Sequence, residues 1–319
     1  MVIMFAVLIP IYHDEESVAQ LIKELDTHLQ NYPHHLDVFI VNDGGLSCAE
    51  YLKTPQNIRQ INEIMLAVNL GHQRAIAVGL TELATRDDYE AVVIMDGDGE
   101  DKPEDVFRLI DSHFKKPEYI IVASRTKRSE GIGFRLFYNL YRRIFLILTG
   151  KRIDFGNFML IPATVLSSIV FNANLWNHLA ATVLSAHYPI ERLKTFRGER
   201  YQGQSKMNFE RLVTHGLSAI SVYLNTIFTR MLIMLSILLA VAVSAIGVVV
   251  SVRFLTDLAI PGWATNLVGI LSIIILQLIL TLMLSMFAAL NQRGTVTETP
   301  QSKIRNFIKE VKDIYQRLD

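Results

Sequence analysis

The stretch VVIMDGDGEDKPED, Val92 to Asp105, sets an apolar run against four carboxylates, Asp96, Asp98, Glu100 and Asp101, within six residues. Anions this close repel one another at neutral pH unless a positive partner offsets them. In extended geometry Asp96 and Asp98 fall on the same side of the chain, and Gly97 between them carries no side chain to keep a ligand from the backbone. Hard oxygen donors in the order Asp-X-Asp suit Mg2+ or Mn2+, which complete their shells with water and phosphate oxygens. A cation held by so few protein groups needs more oxygens, and a diphosphate would supply them. A solvated acidic turn is the competing reading, and the position at the end of an apolar strand argues against it. Asp101 reads differently, as the N-cap of a helix that begins near Pro103.

Such a cluster needs a frame to hold it. VIMFAVLI reads as a strand, followed by a helix ESVAQLIKELDTHLQNY with Val18, Leu21, Ile22, Leu25 and Leu29 on one face. LDVFIV is a strand ending at Asn42-Asp43-Gly44-Gly45. Further strands are expected around Ile58–Leu66, at YEAVVIM and at YIIVAS, with a helix over His72–Ala84. Strands alternating with helices predict a parallel α/β sheet covered on both faces. Ligands in such sheets sit beyond the carboxyl ends of the strands. Three strand ends here carry polar groups: Tyr12 and Asp14, then Asp43, then Asp96 and Asp98.

Bulk composition excludes several classes. Lys+Arg and Asp+Glu both number 31 among 319 residues, so no overall field favours nucleic acid. The single cysteine, Cys48, rules out an internal disulfide and fits a reducing compartment. No basic leader precedes the first apolar run, so a cleaved signal peptide is not expected. Half of the residues are hydrophobic, and the excess lies after residue 230. Met231–Val252 and Ala264–Leu290 carry no charge over about 22 and about 27 residues, each long enough to cross a bilayer. Arg211 and Arg230 precede the first run, and Arg293, Lys303 and Arg305 follow the second. The connecting loop has only Arg253 with Asp257, and Trp263 at its end. That asymmetry predicts both termini in the cytoplasm. SKMNFERLVTHGLSAISVYLNTIF, ahead of the first span, keeps Met207, Leu212, Leu217, Ile220 and Leu224 at helical spacing. It suits either the headgroup layer or a packed helix. The tail after Arg293 reads as a cytoplasmic helix. The resulting division is a catalytic domain over 1–205, juxtamembrane helices over 206–229, two spans over 230–291 and a tail over 292–319.

Several short motifs, in order along nearly the whole chain, carry a resemblance. IPIYHDEE is similar to P-x-Y-N-E-E, VNDGG to V-D-D-G-S, and NLGHQRAIAVGL to N-x-G-H-x-x-A-x-x-x-G. MDGDGEDKPE resembles M-D-A-D-L-Q-D-P-P-E, FGNFMLIP takes the place of G-D-F-R-L, and RYQGQSKMNFERL that of R-x-x-G-x-S-K-Y. Together they resemble the family 2 glycosyltransferases of GT-A fold, in particular the membrane-anchored polyprenyl-phosphate glycosyltransferases related to dolichol-phosphate mannose synthase.

The resemblance implies roles residue by residue. Pro10, Tyr12, Asp14 and Asp43 would line the nucleotide pocket, with Asp96 facing the sugar and ribose. Asp98 and Glu100 would hold Mg2+ or Mn2+ on the diphosphate of a UDP- or GDP-linked sugar. Arg125, Arg135 and Asn139 would contact the phosphate of the lipid acceptor, and Arg200, Ser205 and Lys206 would form a mobile basic segment near it. Asp96, Asp98, Arg125 and Asn157 would make up the catalytic set. His72 reads as a helix N-terminal residue packed on its loop. Three departures stand out: Asn42 replaces the first Asp of D-D-G-S, His13 an Asn, and Asn157 the Asp of G-D-F, a candidate base. A sugar hydroxyl must lose a proton as it attacks, whereas a lipid phosphate is already anionic and needs only positioning and charge neutralisation. Asn157 therefore fits a phosphate acceptor, with Asp154 as an alternative carboxylate.

The expected protein is an inverting hexosyltransferase of the cytoplasmic membrane face, in a bacterial inner or plasma membrane. It would load polyprenyl phosphate of undecaprenyl or dolichyl type for cell-envelope glycan or glycolipid assembly, and oligomerise through its helix pair. Two alternatives stay open at this point: a transferase acting on a glycolipid or polysaccharide hydroxyl, and a catalytically weakened binding subunit of the same fold.

Overall fold

The computed structural model describes residues 3–125, 132–202, 209–256, 262–294 and 298–317, with side chains except at 125, 132–140, 209–212 and 292–294. The chain divides into two compact units. One gathers the described residues of Met1–Phe145, Lys151–Val222 and Glu298–Asp319, and the other those of Leu146–Gly150 and Tyr223–Thr297.

The first unit is built on an eight-stranded sheet in the order β7-β5-β6-β4-β1-β2-β3-β8. Its centre is β1, Met4–Ile11, parallel to β2, His35–Asn42, and to β4, Ala91–Ile94, with Val7 opposite both Val38 and Val93. Phe5 to Ile9 are wholly buried, as a strand covered on both faces requires. Next to β2 lies β3, Gln60–Leu66, also parallel. On the other side β6, Met159–Pro162, runs antiparallel between β4 and β5, Ile120–Arg125, and β5 pairs in parallel with β7, Ile190–Thr195. Helices α1, Glu15–Leu29, and α3, Pro103–Lys115, contact each other, while α2, His72–Leu83, packs on β1 and β2. Val18, Leu21, Ile22, Leu25 and Leu29 are buried on α1, the face its periodicity predicts. Gly79 lets α2 approach the sheet, since a Cβ there would stand 2.5 Å from Leu8 Cδ1. Between the sheet's later strands run α4, Ile132–Thr149, α5, Ala163–Val170, and α6, Leu179–Ser185.

The tail corrects the expectation of a helix. After a helical turn at Pro300–Lys303 it forms β8, Ile308–Gln316, antiparallel to β3, with Gln60 opposite Gln316 and Leu66 opposite Ile308. The physical reason lies in β3, whose outer edge presents backbone donors and acceptors that need partners. Ile314 and Tyr315 pack against the core from that strand. The sheet is mostly parallel, the expected GT-A arrangement, with antiparallel pairings at β6 and β8. α7, Phe209–Ser221, is the described part of the segment expected ahead of the first span. It turns Gly216 and Ala219 inward and leaves Leu217 exposed. Tyr141 donates to the Gly216 carbonyl at 3.3 Å, and only a residue without Cβ leaves room for that ring.

In the second unit two 32-residue helices, α8, Leu224–Leu255, and α9, Trp263–Gly294, pack together. Leu235, Ala242 and Val249, each seven residues from the next, are the buried positions of α8. The outward faces are apolar, with Val241 60% and Leu284 70% exposed, and both helices are long and apolar enough to cross a membrane. The end of α4 is closed by Gly150 at φ +74, whose N–H donates to Leu146 O at 2.7 Å. Arg230 Nη1 caps the Ile147 and Leu148 carbonyls at 3.0 and 3.3 Å.

Candidate active site

β4 is short, and after Met95 N–H donates to Leu8 O the chain leaves the sheet as the acidic turn. The turn is held by its own carboxylates: Asp101 Oδ2 accepts from Asp96 N–H at 3.0 Å, and Asp98 Oδ1 from Glu100 N–H at 3.0 Å. Asp101 is thus buried in the turn rather than capping α3, whose N-cap is Lys102. Gly97 likewise has a packing reason, since a Cβ there would meet Ile11 Cγ2 at 3.0 Å and Ile9 Cγ2 at 3.2 Å. The positive partners come from the segment after β7. Arg200 pairs with Asp98, its Nε 3.2 Å from Oδ2, and Arg197 pairs with Glu100. Backbone bonds join the same segments, Gly198 N–H to Glu100 O at 2.9 Å and Tyr201 N–H to Asp98 O at 3.0 Å. The Tyr201 hydroxyl donates to Glu24 Oε2 at 2.6 Å. Burial works against the Arg200 charge. The bond to Asp98 and the fields of Asp98, Glu100 and Asp14 outweigh it and hold the guanidinium above its ordinary value.

Asp96 faces another set of groups. His72 Nε2, at the start of α2, is 3.4 Å from Asp96 Oδ1 and 3.0 Å from Asn157 Nδ2. Gln73 Nε2 donates to Asn157 Oδ1 at 3.2 Å, and Gln73 Oε1 accepts from Leu179 N–H at 2.8 Å. Desolvation lowers the His72 pKa against the pull of Asp101, Asp98 and Asp43, although 45% of its side chain remains exposed. Behind it, His178 and His215 meet at 3.2 Å between their Nε2 atoms.

At the end of β2 the polar groups turn inward. Asn42 donates to Leu46 O at 2.6 Å and to Glu63 Oε1 at 2.8 Å, and accepts from Gly45 N–H at 2.7 Å. Glu63, wholly buried on β3, also accepts from Ser47 Oγ at 2.6 Å and Cys48 N–H at 3.0 Å. Asn42 therefore anchors the loop after β2, and an Asp in its place would face the Glu63 carboxylate. Asp43 accepts from Leu70 N–H at 2.6 Å and Gly71 N–H at 2.8 Å. Burial raises its pKa, against those bonds and the field of His72. Pro10 is buried near the end of β1, Tyr12 is 43% exposed beside His13, and Asp14 stands at the N-cap position of α1.

Among the expected site residues, Asp96, Asp98, Glu100, Arg200 and Asn157 are thus linked through direct contacts around the β4 end. Arg125 ends β5, and Arg135 and Asn139 belong to α4, but their side chains lie outside the described residues, as do Ser205 and Lys206 entirely. Asp154 is held by Arg192 Nε at 2.9 Å. The sequence reading passed over Arg197, Gln73 and Glu63. For Arg197 a signal existed, a second arginine three residues before Arg200. For the other two it did not, because both act through partners distant in sequence. Among the described residues no group of three or more His, Cys, Asp or Glu is arranged to hold a metal ion. Asp98 and Glu100 nevertheless suit a divalent cation: both are hard-oxygen donors, both already take a cationic partner, and substrate oxygens would complete the shell.

Comparisons with known proteins bear on the fold and on the family. The glucosyl-3-phosphoglycerate synthase of Mycobacterium tuberculosis, solved with Mn2+, uridine diphosphate and phosphoglyceric acid, superposes with a TM-score of 0.51. It shares 13% identity and covers 70% of this chain and 78% of its own, a likeness of fold. An uncharacterized glycosyltransferase of Bacillus subtilis, YkcC, is 24% identical over 286 residues, 83% of this chain and 82% of the relative. Another from Synechocystis, sll0501, is 24% identical over 289 residues, 88% of each chain. Residues 6–170, more than half of the chain, match the family described as Glycosyl transferase family 2, and the chain belongs to that family and is a glycosyltransferase.

Proposed function

We propose that this enzyme transfers a sugar from a nucleotide-sugar donor to polyprenyl phosphate at a membrane surface. The observation that carries the reading is the β4 end, where Asp98 and Glu100 face Arg200 and Arg197, in a chain that continues into two long apolar helices. Asp98 and Glu100 would hold Mg2+ or Mn2+, which offsets charge on the departing nucleoside diphosphate. Asp96 takes hydroxyls of the donor. Arg197 and Arg200 stand beside the two carboxylates and meet the phosphate oxygens that arrive there. At the position of a hydroxyl-activating base the chain offers the Asn157 amide, and the alternative carboxylate, Asp154, is tied to Arg192. An anionic phosphate oxygen needs no such base.

Membrane attachment rests on the helix pair and on the sheet. Because β8 completes the sheet begun by β1, the segments before α8 and after α9 must share one side of any bilayer those helices cross. Thr256→Cys and Ser302→Cys should therefore differ in labelling by an impermeant thiol reagent on intact cells. Cys48 is buried and adds little background.

The direct test offers purified enzyme a panel of nucleotide sugars with polyprenyl phosphate, and separately with the matching polyprenol. Transfer to the phosphate and none to the alcohol is expected. Transfer to the alcohol alone would overturn the acceptor assignment, and no transfer with any donor to either lipid would overturn the reading as a lipid-directed enzyme.

A further inference from the structure

The segment from Phe196 to Tyr201, which follows β7, lies directly against the acidic turn. Gly198 N–H donates to Glu100 O at 2.9 Å and Tyr201 N–H to Asp98 O at 3.0 Å. The two backbones approach too closely for side chains between them. A Cβ on Gly198 would collide with Gly99 O, and one on Gly99, whose φ is +88, would stand 2.6 Å from the Tyr201 ring. Tyr201 closes this contact from its far end. Its ring packs against the core cluster, and its hydroxyl donates to Glu24 Oε2 on α1 at 2.6 Å. A hydroxyl held by a carboxylate makes a short, charge-assisted bond. The other Glu24 oxygen accepts from Gln20 Nε2 at 3.3 Å.

We propose that Tyr201, held by Glu24, is a positioning residue: it fixes the backbone from Arg197 to Arg200 on the acidic turn, so that both guanidiniums can turn from Glu100 and Asp98 to the donor diphosphate while the chain that carries them stays in place. The two kinds of contact differ in what breaks them. Rotation of a side chain releases either arginine from its carboxylate, whereas release of Tyr201 requires its ring and its backbone to leave the turn. A segment left loose would have to be ordered as the diphosphate arrives, and that entropy would be subtracted from the affinity. A segment ordered in advance gives up only the rotamers of the two arginines. This role rests on the reading that Arg197 and Arg200 meet the donor phosphates, and it does not depend on which acceptor the enzyme uses.

The test is calorimetric titration of the full chain in detergent with Mn2+ and uridine diphosphate or guanosine diphosphate, using whichever binds more tightly. Tyr201→Phe keeps the ring and removes the hydroxyl, and Kd should rise about tenfold, the scale of one hydrogen bond to a charged group. Glu24→Ala should match it. Glu24→Gln, whose amide oxygen still accepts from Tyr201, should bind as the wild type does. Arg200→Ala should also weaken binding about tenfold, and adding Tyr201→Phe to it should cost about threefold or less, because the two residues act as one unit. Hydrogen exchange at the amides of Gly198 and Tyr201 should be faster in Tyr201→Phe than in the wild type.

A Tyr201 that only packs the core would lower the melting temperature and leave Kd unchanged. That result, unaltered exchange at Gly198 and Tyr201, or full additivity with Arg200→Ala would overturn the proposal. If Arg200→Ala binds as tightly as the wild type, or neither diphosphate binds, the proposal falls together with the reading of the arginines as phosphate contacts.

Discussion

Strands β2 and β4 flank β1 and end in similar residues, Asn42-Asp43 and, just beyond β4, Asp96-Gly97-Asp98, yet the two ends behave differently. At β2 the polar atoms point into the protein: Asn42 and Asp43 are 1% and 2% exposed, and their partners are mostly backbone groups and one buried glutamate. At β4 the carboxylates stay partly open and pair with side chains from distant segments, Arg200, Arg197 and His72. A backbone N–H cannot leave its carboxylate without unfolding the loop, whereas a guanidinium can turn to another anion. Residue type alone does not separate a carboxylate locked into its loop from one left open to a ligand. Burial and the kind of partner do.

The largest effect expected from this contrast is on activity. Asp98→Asn removes the anion that pairs with Arg200 and is placed for a cation, and kcat/KM should fall about 100- to 1000-fold, the scale of losing one preorganised electrostatic group. The thermal midpoint should move by no more than about 3 °C. Steady-state kinetics beside a melting curve read both, and a large melting shift would make β4 resemble β2.

Glu63→Ala should do the reverse. It leaves the donors of Asn42, Ser47 and Cys48 without their buried acceptor, at a cost of about 3 kcal/mol, or roughly 6–12 °C in thermal midpoint. If the variant melts like the wild type while losing activity, the β2 end is not the structural region described here.

The effect that is smallest at neutral pH, and grows only in acid, concerns another buried group, His178, which is 4% exposed. Burial, then the field of His215, pushes its pKa down from 6.5 to about 3. The unfolded chain therefore binds the extra proton between those values and the folded chain does not. Stability is full above pH 6.5 and is lost as pH falls toward 3, by up to about 1.4 kcal/mol per pH unit for this group. His178→Asn keeps an acceptor for Ala181 N–H, which His178 Nδ1 now binds at 3.3 Å, and should flatten the acid limb of stability against pH.

The same contrast explains what could be read in the sequence. The alternation of strands and helices, the buried face of α1 and the apolar helix pair are local patterns of period and length, and all were legible. β8 was not, because its residues become a strand only when the edge of β3, some 250 positions earlier, offers them partners. The position of Asp98 at the end of an apolar strand was legible from its spacing. The inward role of Asn42 could not, since it depends on Glu63 across the sheet. Arg197 and Gln73 matter only through contacts that folding creates.

The measurement that tests the account most directly locates the cation. Crystals grown with Mn2+ and a nucleoside diphosphate should give an anomalous scattering peak within coordinating distance of Asp98 and Glu100, with phosphate oxygens completing its shell. Arg200 should be turned from Asp98, and Asp43 should still bind Leu70 and Gly71. A Mn2+ peak held by Asp43 at the β2 end, or nucleoside diphosphate bound with no Mn2+ at Asp98 and Glu100, would contradict it.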